Sequence, residues 1–229
     1  MMENRQTISY VSNRLKAAGL QPVNRFGQNF LVDLNLIDLI VRSAEITPRD
    51  CILEIGTGTG SLTAKMATRA GRVVTVEIDE NLARLARQEF ATMPQVTLLQ
   101  QDALKNKNTL HPAVIQAIQQ SMSEIGEGAQ LKLVANLPYN VATPIISNLL
   151  TIEPSPAMMV VTIQKELADR IIAVPSTKDY SAFPFGSKHW PNPRSCEFFH
   201  QAFFGPAPKS TPRFSRLSPT RRCDNVSQT

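Results

Sequence analysis

Two rhythms alternate along this chain. Short unbroken apolar runs stand between longer stretches whose apolar residues recur at helical spacing. Ile8 to Ala18 has that spacing and stops at Gly19, which predicts a helix. Gln21 to Leu31 reads as a loop containing Pro22 and Gly27, and Asp33 is placed to cap a second helix over Leu34 to Ala44. From there, predicted strands at 51–55, 72–77, 96–100, 131–135 and 158–163 alternate with predicted helices at 61–70, 80–90, 111–125, 143–150 and 165–173. The alternation predicts an α/β fold: a doubly wound, mostly parallel, Rossmann-like sheet with helices on both faces. Such sheets bind ligands beyond the carboxyl ends of their strands, near the switch in strand order.

The chemistry-bearing residues fall at those ends. Asn136-Leu137-Pro138-Tyr139 follows the fourth strand. The Asn side-chain carbonyl and the Leu137 backbone carbonyl can both accept from one exocyclic amine. Pro138 fixes φ and offers no competing N–H, and an aromatic ring at Tyr139 can stack on a base. An adenine amine is a poor nucleophile because its lone pair is delocalised. Two acceptors on its hydrogens favour a pyramidal nitrogen aimed at an electrophile. The same four residues also suit a turn over a core tyrosine.

Glu54-Ile-Gly56-Thr-Gly58-Thr-Gly60 joins the first of the alternating strands to its helix, and its glycines allow a tight turn and close approach of a ligand. By itself this loop fits nicotinamide and flavin binding as well. Glu77 ends the next strand, where a carboxylate can accept from both ribose hydroxyls or simply be solvated. Asp102 follows the third strand, placed either to accept from an adenine amine or to shape a turn. No further phosphate-binding feature appears, so a nucleoside without a pyrophosphate fits best. S-adenosyl-L-methionine is that ligand, and its sulfonium methyl is the electrophile the Asn136 site requires.

Composition narrows the setting. No apolar run reaches the roughly 18 residues of a membrane span, and Met1 to Gln6 lack a signal-peptide core. Cys51, Cys196 and Cys223 show no metal spacing, so no metal site is expected and a reducing compartment is the simplest reading. Cys51 opens an apolar strand and reads as packing. The net charge of +5 is unevenly placed: residues 1–182 carry 17 basic and 17 acidic residues, and residues 183–229 carry seven and two. The whole surplus therefore belongs to the tail.

With these residues in place, the chain resembles the ribosomal RNA adenine dimethyltransferases. Phe26-Gly-Gln-Asn29-Phe-Leu31, Glu54-Ile-Gly-Thr-Gly58, Val76-Glu77-Ile78-Asp79, Gln101-Asp102-Ala103, Asn136-Leu-Pro-Tyr-Asn140 and Gln164-Lys165-Glu166 fit that family's pattern in order, over roughly residues 5–182. The resemblance implies N6,N6-dimethylation of two adjacent adenines near the 3′ end of small-subunit rRNA. It implies that Asn29, Leu31, Gly56, Gly58, Glu77, Asp102 and Asn136 contact S-adenosyl-L-methionine. It further implies that Asn136, Leu137, Pro138 and Tyr139 hold the target base, with Gln28–Leu31 closing over both. The expected setting is a cytoplasmic monomer acting on rRNA in a pre-ribosomal particle, away from membranes. A related reading is the large-subunit adenine methyltransferases of the macrolide-resistance type. A different class is a non-catalytic ribosome-assembly or transcription factor on the same fold.

After Ala182 the resemblance stops abruptly. Phe183–Thr229 lacks helical or strand periodicity and holds seven of the 16 prolines and eight of the 14 aromatics. Disordered arms are usually poor in aromatics. Regrouping the codons of Ala202–Phe214, by joining the last base of each to the first two of the next, permits VFWPRPKVDSAF. That string is similar to the family's F-x-P-x-P-K-V-D-S-A motif. The same regrouping of Phe183–Lys188 permits LSVWVQ, similar to the strand expected after Tyr180-Ser-Ala182. The expected organisation is a catalytic domain over 1–182 and an aberrant tail, read out of frame, over 183–229. The sheet's last strands and the family's small helical domain would then be missing, leaving 158–163 as an exposed apolar edge. Low stability and impaired activity are the expected consequences.

Overall fold

The computed structural model describes residues 34–163 and 196–200, without the side chains of Tyr139 and of 196–200. Its elements are α1 (Leu34–Ser43), β1 (Asp50–Ile55), α2 (Ser61–Ala67), β2 (Arg72–Glu77), α3 (Glu80–Phe90), β3 (Val96–Gln100), β4 (Leu104–Asn106), β5 (Thr109–Leu110), α4 (Pro112–Ile125), β6 (Gln130–Asn136), α5 (Tyr139–Leu149), β7 (Met158–Ile163) and β8 (Cys196–His200). Six strands form one sheet in the order β3-β2-β1-β6-β7-β8, every neighbour parallel. The expected doubly wound sheet is present. The chain runs outward from β1 to β3 and then returns to lay β6 against β1's other side. The switch in strand order therefore lies between β1 and β6, with Gly56 beyond one carboxyl end and Leu137 beyond the other.

Both faces of the sheet are covered, which is why its strands read as unbroken apolar runs. On one face Ile52, Val73, Val134 and Val160 pack with Ile37, Ile40 and Met66 of α1 and α2. On the other, Leu53, Val74, Leu133 and Val161 pack with Ile118 of α4 and Ile145 of α5. Cys51 is wholly buried, and burial pushes its thiol up to about 12 despite a hydrogen bond with Ser121. It stays a neutral packing residue at physiological pH, as the sequence implies.

A buried ion pair fixes the sheet at the end away from the crevice. Lys132 Nζ lies 2.9 Å from Asp50 Oδ2 and donates to the carbonyls of Ala44 (3.1 Å) and Glu45 (2.9 Å). Asp50 Oδ2 also accepts from Thr47 N (2.7 Å) and Thr47 Oγ1 (3.0 Å). With both charges hydrogen-bonded, the cost of burying them is offset, and the end of α1 is held against β1 and β6.

Three sequence expectations need correction. The helix predicted from Thr143 begins at Tyr139, one turn earlier, with Pro138 as its N-cap. Pro144 lies inside α5, although a proline there reads as a helix's first turn. The β4–β5 hairpin falls where no element is predicted. Finally, the tail is not without a strand: Cys196–His200 pairs with Met159–Ile163, so β7 is not the sheet's edge. Phe198 and Phe199 favour a pleated strand although the segment shows no polar–apolar alternation. The instability expected from an exposed β7 edge loses its basis. The predicted helices at 8–18 and 165–173, and the Gln164-Lys165-Glu166 motif, lie outside the described residues.

Candidate functional site

The loop after β1 is shaped by positive φ values at Gly56 (88°), Gly58 (56°) and Gly60 (82°), a region L side chains rarely adopt. Gly56 donates to the Val76 carbonyl (2.8 Å) and Gly60 to the Thr57 carbonyl (3.0 Å). A Cβ placed on Gly56 would lie 3.6 Å from Pro138 Cδ and 3.8 Å from the Asn136 carbonyl oxygen. The glycine loop and the Asn136–Tyr139 segment are thus direct neighbours across the switch point.

Glu77 closes the crevice from β2. Its Oε2 accepts from Gly58 N (2.8 Å) and its Oε1 from Asp79 N (2.9 Å). Burial raises its pKa, the backbone N–H groups of Asp79, Gly58 and Ile78 oppose the rise, and the charge of Asp79 adds to it. The carboxylate still has acceptor capacity for a hydroxyl donor. Beneath the loop lies a second carboxyl, Glu54, which is 1% exposed. Its Oε2 accepts from Thr63 Oγ1 and from Thr75 Oγ1 (2.7 Å), and Thr75 Oγ1 lies 2.6 Å from Thr57 Oγ1 in the glycine loop. Burial pushes Glu54 up to about 8, hydrogen bonds from Thr63 and Thr75 oppose this, and the nearby charge of Glu77 adds to it.

Asp102 is exposed on the crevice wall, and its Oδ1 accepts from Leu104 N (2.9 Å). The turn role weighed from the sequence is real, and it places the residue at the crevice. Gln101 N donates to the Glu77 carbonyl (3.0 Å), joining β3's end to β2's.

Asn136 ends β6 and lines the crevice. Its Oδ1 accepts from Thr162 Oγ1, on the neighbouring β7. That bond orients the carboxamide with its oxygen as the acceptor. Leu137 N donates to the Thr162 carbonyl (3.3 Å), so the β6–β7 ladder runs into the motif. The Leu137 side chain is buried, which leaves its backbone for chemistry. Pro138 holds φ at −59° and caps α5. Tyr139 opens α5, and its ring lies outside the described atoms, as do Asn29 and Leu31.

The structure thus gathers Gly56, Gly58, Glu77, Asp102, Asn136, Leu137 and Pro138 around one crevice. Two residues the motifs did not single out join them. Thr162 sets Asn136, a role visible only once the β6–β7 register is known. Ile78, half exposed, is the one large exposed hydrophobic among the described residues and lines the same crevice. It offers an apolar surface beside Glu77 for a flat ring.

Electrostatics discriminate among ligands. Glu77 and Asp102 line the crevice above the buried, neutral Glu54, and no Lys, Arg or His does among the described residues. A pyrophosphate would meet like charge from those two carboxylates. A cationic nucleoside without phosphates fits the donor set, which disfavours the nicotinamide and flavin readings left open by the glycine loop. Among the described residues no group of His, Cys, Asp and Glu could hold a metal ion, and no helix is long and apolar enough to cross a membrane.

Comparison with known proteins agrees with this geometry. A family profile described as ribosomal RNA adenine dimethylase matches residues 20–218, so the resemblance does not stop at Ala182 as the sequence motifs imply. Ribosomal RNA small subunit methyltransferase A of Alkaliphilus oremlandii is 38% identical over 191 residues, covering 83% of this chain and 63% of that protein. The protein of the same name from Magnetococcus marinus is 41% identical over 197 residues, covering 86% and 66%. Among solved structures, a dimethyladenosine transferase from Plasmodium falciparum is 28% identical with a TM-score of 0.52, covering 65% of this chain and 48% of that one. The chain spans about three-fifths of the length of the first curated relatives. Glu54 to Gly60, Glu77, Asp102 and the Asn136–Tyr139 motif all fall inside the matched span, and the chain belongs to the ribosomal RNA adenine dimethylase family.

Proposed function

We propose that this chain methylates the exocyclic N6 of adenine in small-subunit rRNA, with S-adenosyl-L-methionine as donor. The observation that carries the reading is the pairing, in one crevice, of a carboxylate lining, without a cation among the described residues, with a carboxamide held as an acceptor at β6's end. The names of the relatives point to the small subunit.

When bound, the donor supplies an electrophilic methyl on a positively charged sulfur. Glu77 accepts from the ribose hydroxyls, Asp102 from the adenine amine of the donor, and Ile78 lies against its ring. Gly56 and Gly58 let the donor approach the backbone. Asn136 Oδ1 and the Leu137 carbonyl accept the two hydrogens of the target amine, and the target base stacks on Tyr139. The amine's lone pair forms the N–C bond as the C–S bond breaks. The cationic product then loses its proton to water, so positioning alone supplies the catalysis. A second round gives the dimethylated base. Two adjacent adenines, a pre-ribosomal substrate, a monomeric enzyme and a cytoplasmic setting complete the proposal, together with Asn29 and Leu31 as further donor contacts.

Labelled methyl transfer to purified subunits lacking the modification tests it. We expect N6,N6-dimethyladenosine in small-subunit rRNA. Label confined to large-subunit rRNA would move the chain to the macrolide-resistance type. Donor binding without transfer to any RNA would make it a binding protein.

Thr162→Val should separate orientation from binding. Without the donor to Asn136 Oδ1, the carboxamide can turn, and we expect a roughly tenfold to hundredfold loss in single-turnover methyl transfer. Donor affinity should stay within about twofold. An unchanged rate would remove Thr162 from the mechanism.

The proposal also takes residues 1–182 as the body of the catalytic domain, to which Cys196–His200 adds a strand, and the chain after Ala182 as read out of frame. The intact mass of the natural protein and the gene sequence around the Ala182 codon test that. Codons that do not regroup into the two family-like strings would dismiss the frame shift.

A further inference from the structure

The crevice wall continues beyond Asp102 as the β4–β5 hairpin. Its tip alternates Lys105, Asn106, Lys107 and Asn108, all exposed. At its root Leu104 pairs with Leu110, which is buried. Three contacts then hold the hairpin in place. Leu104 N donates to Asp102 Oδ1 (2.9 Å), and Asn108 N donates to Asn106 Oδ1 (2.9 Å), which closes the turn. Asn148, buried in α5, donates from Nδ2 to the Lys107 carbonyl (3.1 Å) and to the Pro144 carbonyl (2.7 Å). A buried carboxamide is costly unless satisfied. This one ties an exposed lysine turn to the helix that begins at Tyr139.

Charge around the hairpin is one-sided. No acidic residue occurs between Asp102 and Glu124, and α5 carries no charged residue. Among the described residues Lys105 and Lys107 enter no ion pair, so they project a positive tip, and solubility alone would not require that tip to be pinned. Nine residues separate Tyr139 from Asn148, about 13 Å at the helical rise. The tether thus sets the lysines within a few nucleotides' reach of the reacting base.

We propose that the β4–β5 hairpin is a backbone clamp, in which Lys105 and Lys107 take RNA phosphates beside the base to be methylated. It rests on the function proposed above and adds the surface that sets the strand's register. Phosphate contacts fix position without reading sequence, which suits an enzyme whose base selection lies at Asn136.

The test uses the full chain with K105Q and K107Q combined, and a short RNA stem–loop carrying two adjacent unpaired adenines. Binding is followed by fluorescence anisotropy from about 50 to about 200 mM salt. Each lost phosphate contact to a single strand lowers the slope of log K against log salt by about 0.7, so we expect a slope shallower by about 1.4. RNA affinity at the lower salt should fall about tenfold, with S-adenosyl-L-methionine affinity unchanged. Asn148→Leu keeps both lysines and cuts the tether; it should weaken RNA binding while thermal unfolding confirms that the protein is folded. An unchanged slope in the double variant, with the parent binding and methylating the RNA, overturns the clamp alone. A parent that takes the donor but binds no RNA overturns both the clamp and the function beneath it.

Discussion

Asn136→Ala is expected to lower methyl transfer by about a thousandfold or more while donor affinity changes by less than about tenfold, roughly 1.4 kcal/mol. The asymmetry follows from where the carboxamide sits. The donor contacts proposed above are spread over the glycine loop, Glu77, Asp102 and Ile78, all on β1, β2 and β3 or just beyond them. The acceptor proposed for the target amine is concentrated in Asn136 Oδ1 and one backbone carbonyl. Loss of the side chain also strips Thr162 Oγ1 of its acceptor in a buried place, at a cost of about 1–3 kcal/mol. A low rate alone would therefore be ambiguous. Asn136→Ala combined with Thr162→Val removes donor and acceptor together and should recover most of the stability with none of the activity. Chemical denaturation and single-turnover kinetics on the three variants separate the effects. Turnover restored by Thr162→Val would show that Asn136 acts only through packing.

The parts legible in the sequence are those fixed by local pattern. Arg72–Glu77, Glu80–Phe90 and Val96–Gln100 have the predicted bounds, because Asp79 caps α3 with its side chain, accepting from Asn81 N and Leu82 N, and Gly71 and Pro94 mark the breaks around them. Motif residues at strand ends reached the crevice because a parallel sheet places all its carboxyl ends together. What stayed hidden depends on register or on tertiary override. Thr162 faces Asn136 only because β6 and β7 pair at those two residues. The start of α5 was obscured by Pro144, which reads as a helix opening yet lies inside. β4 and β5 are too short, and too polar, to carry a period. Glu54 was legible as part of a glycine-loop motif, but nothing local announces a carboxyl sealed beneath three threonines and beside a second carboxyl.

That sealed carboxyl makes stability and donor binding pull in opposite directions. Glu54 titrates near 4.5 in its unperturbed form and at about 8 in the fold. Between those values the unfolded chain has released the proton and the folded chain still holds it, so stability falls as pH rises through that window and levels off above it. The accumulated loss is on the order of 5 kcal/mol, at about 1.4 kcal/mol for each pH unit between the two values. Glu54→Gln copies the protonated form, keeps an oxygen for Thr63 and Thr75, and removes the titration. The variant should therefore be more stable than the parent near pH 8, indistinguishable from it near pH 4, and flatter in between, as read from urea unfolding at each pH. Donor binding should move the other way. A sulfonium gains from a carboxylate beneath the loop, and the neutral thioether left after transfer does not. Glu54→Gln should accordingly weaken S-adenosyl-L-methionine more than its demethylated product, and most strongly above pH 8. Equal losses for the two would confine Glu54 to holding the loop through Thr75 and Thr57. A parent whose stability climbs from pH 5 to pH 8 beside an unchanged variant would mean that the carboxyl is ionised throughout, with the glycine loop held by a charge rather than by a proton.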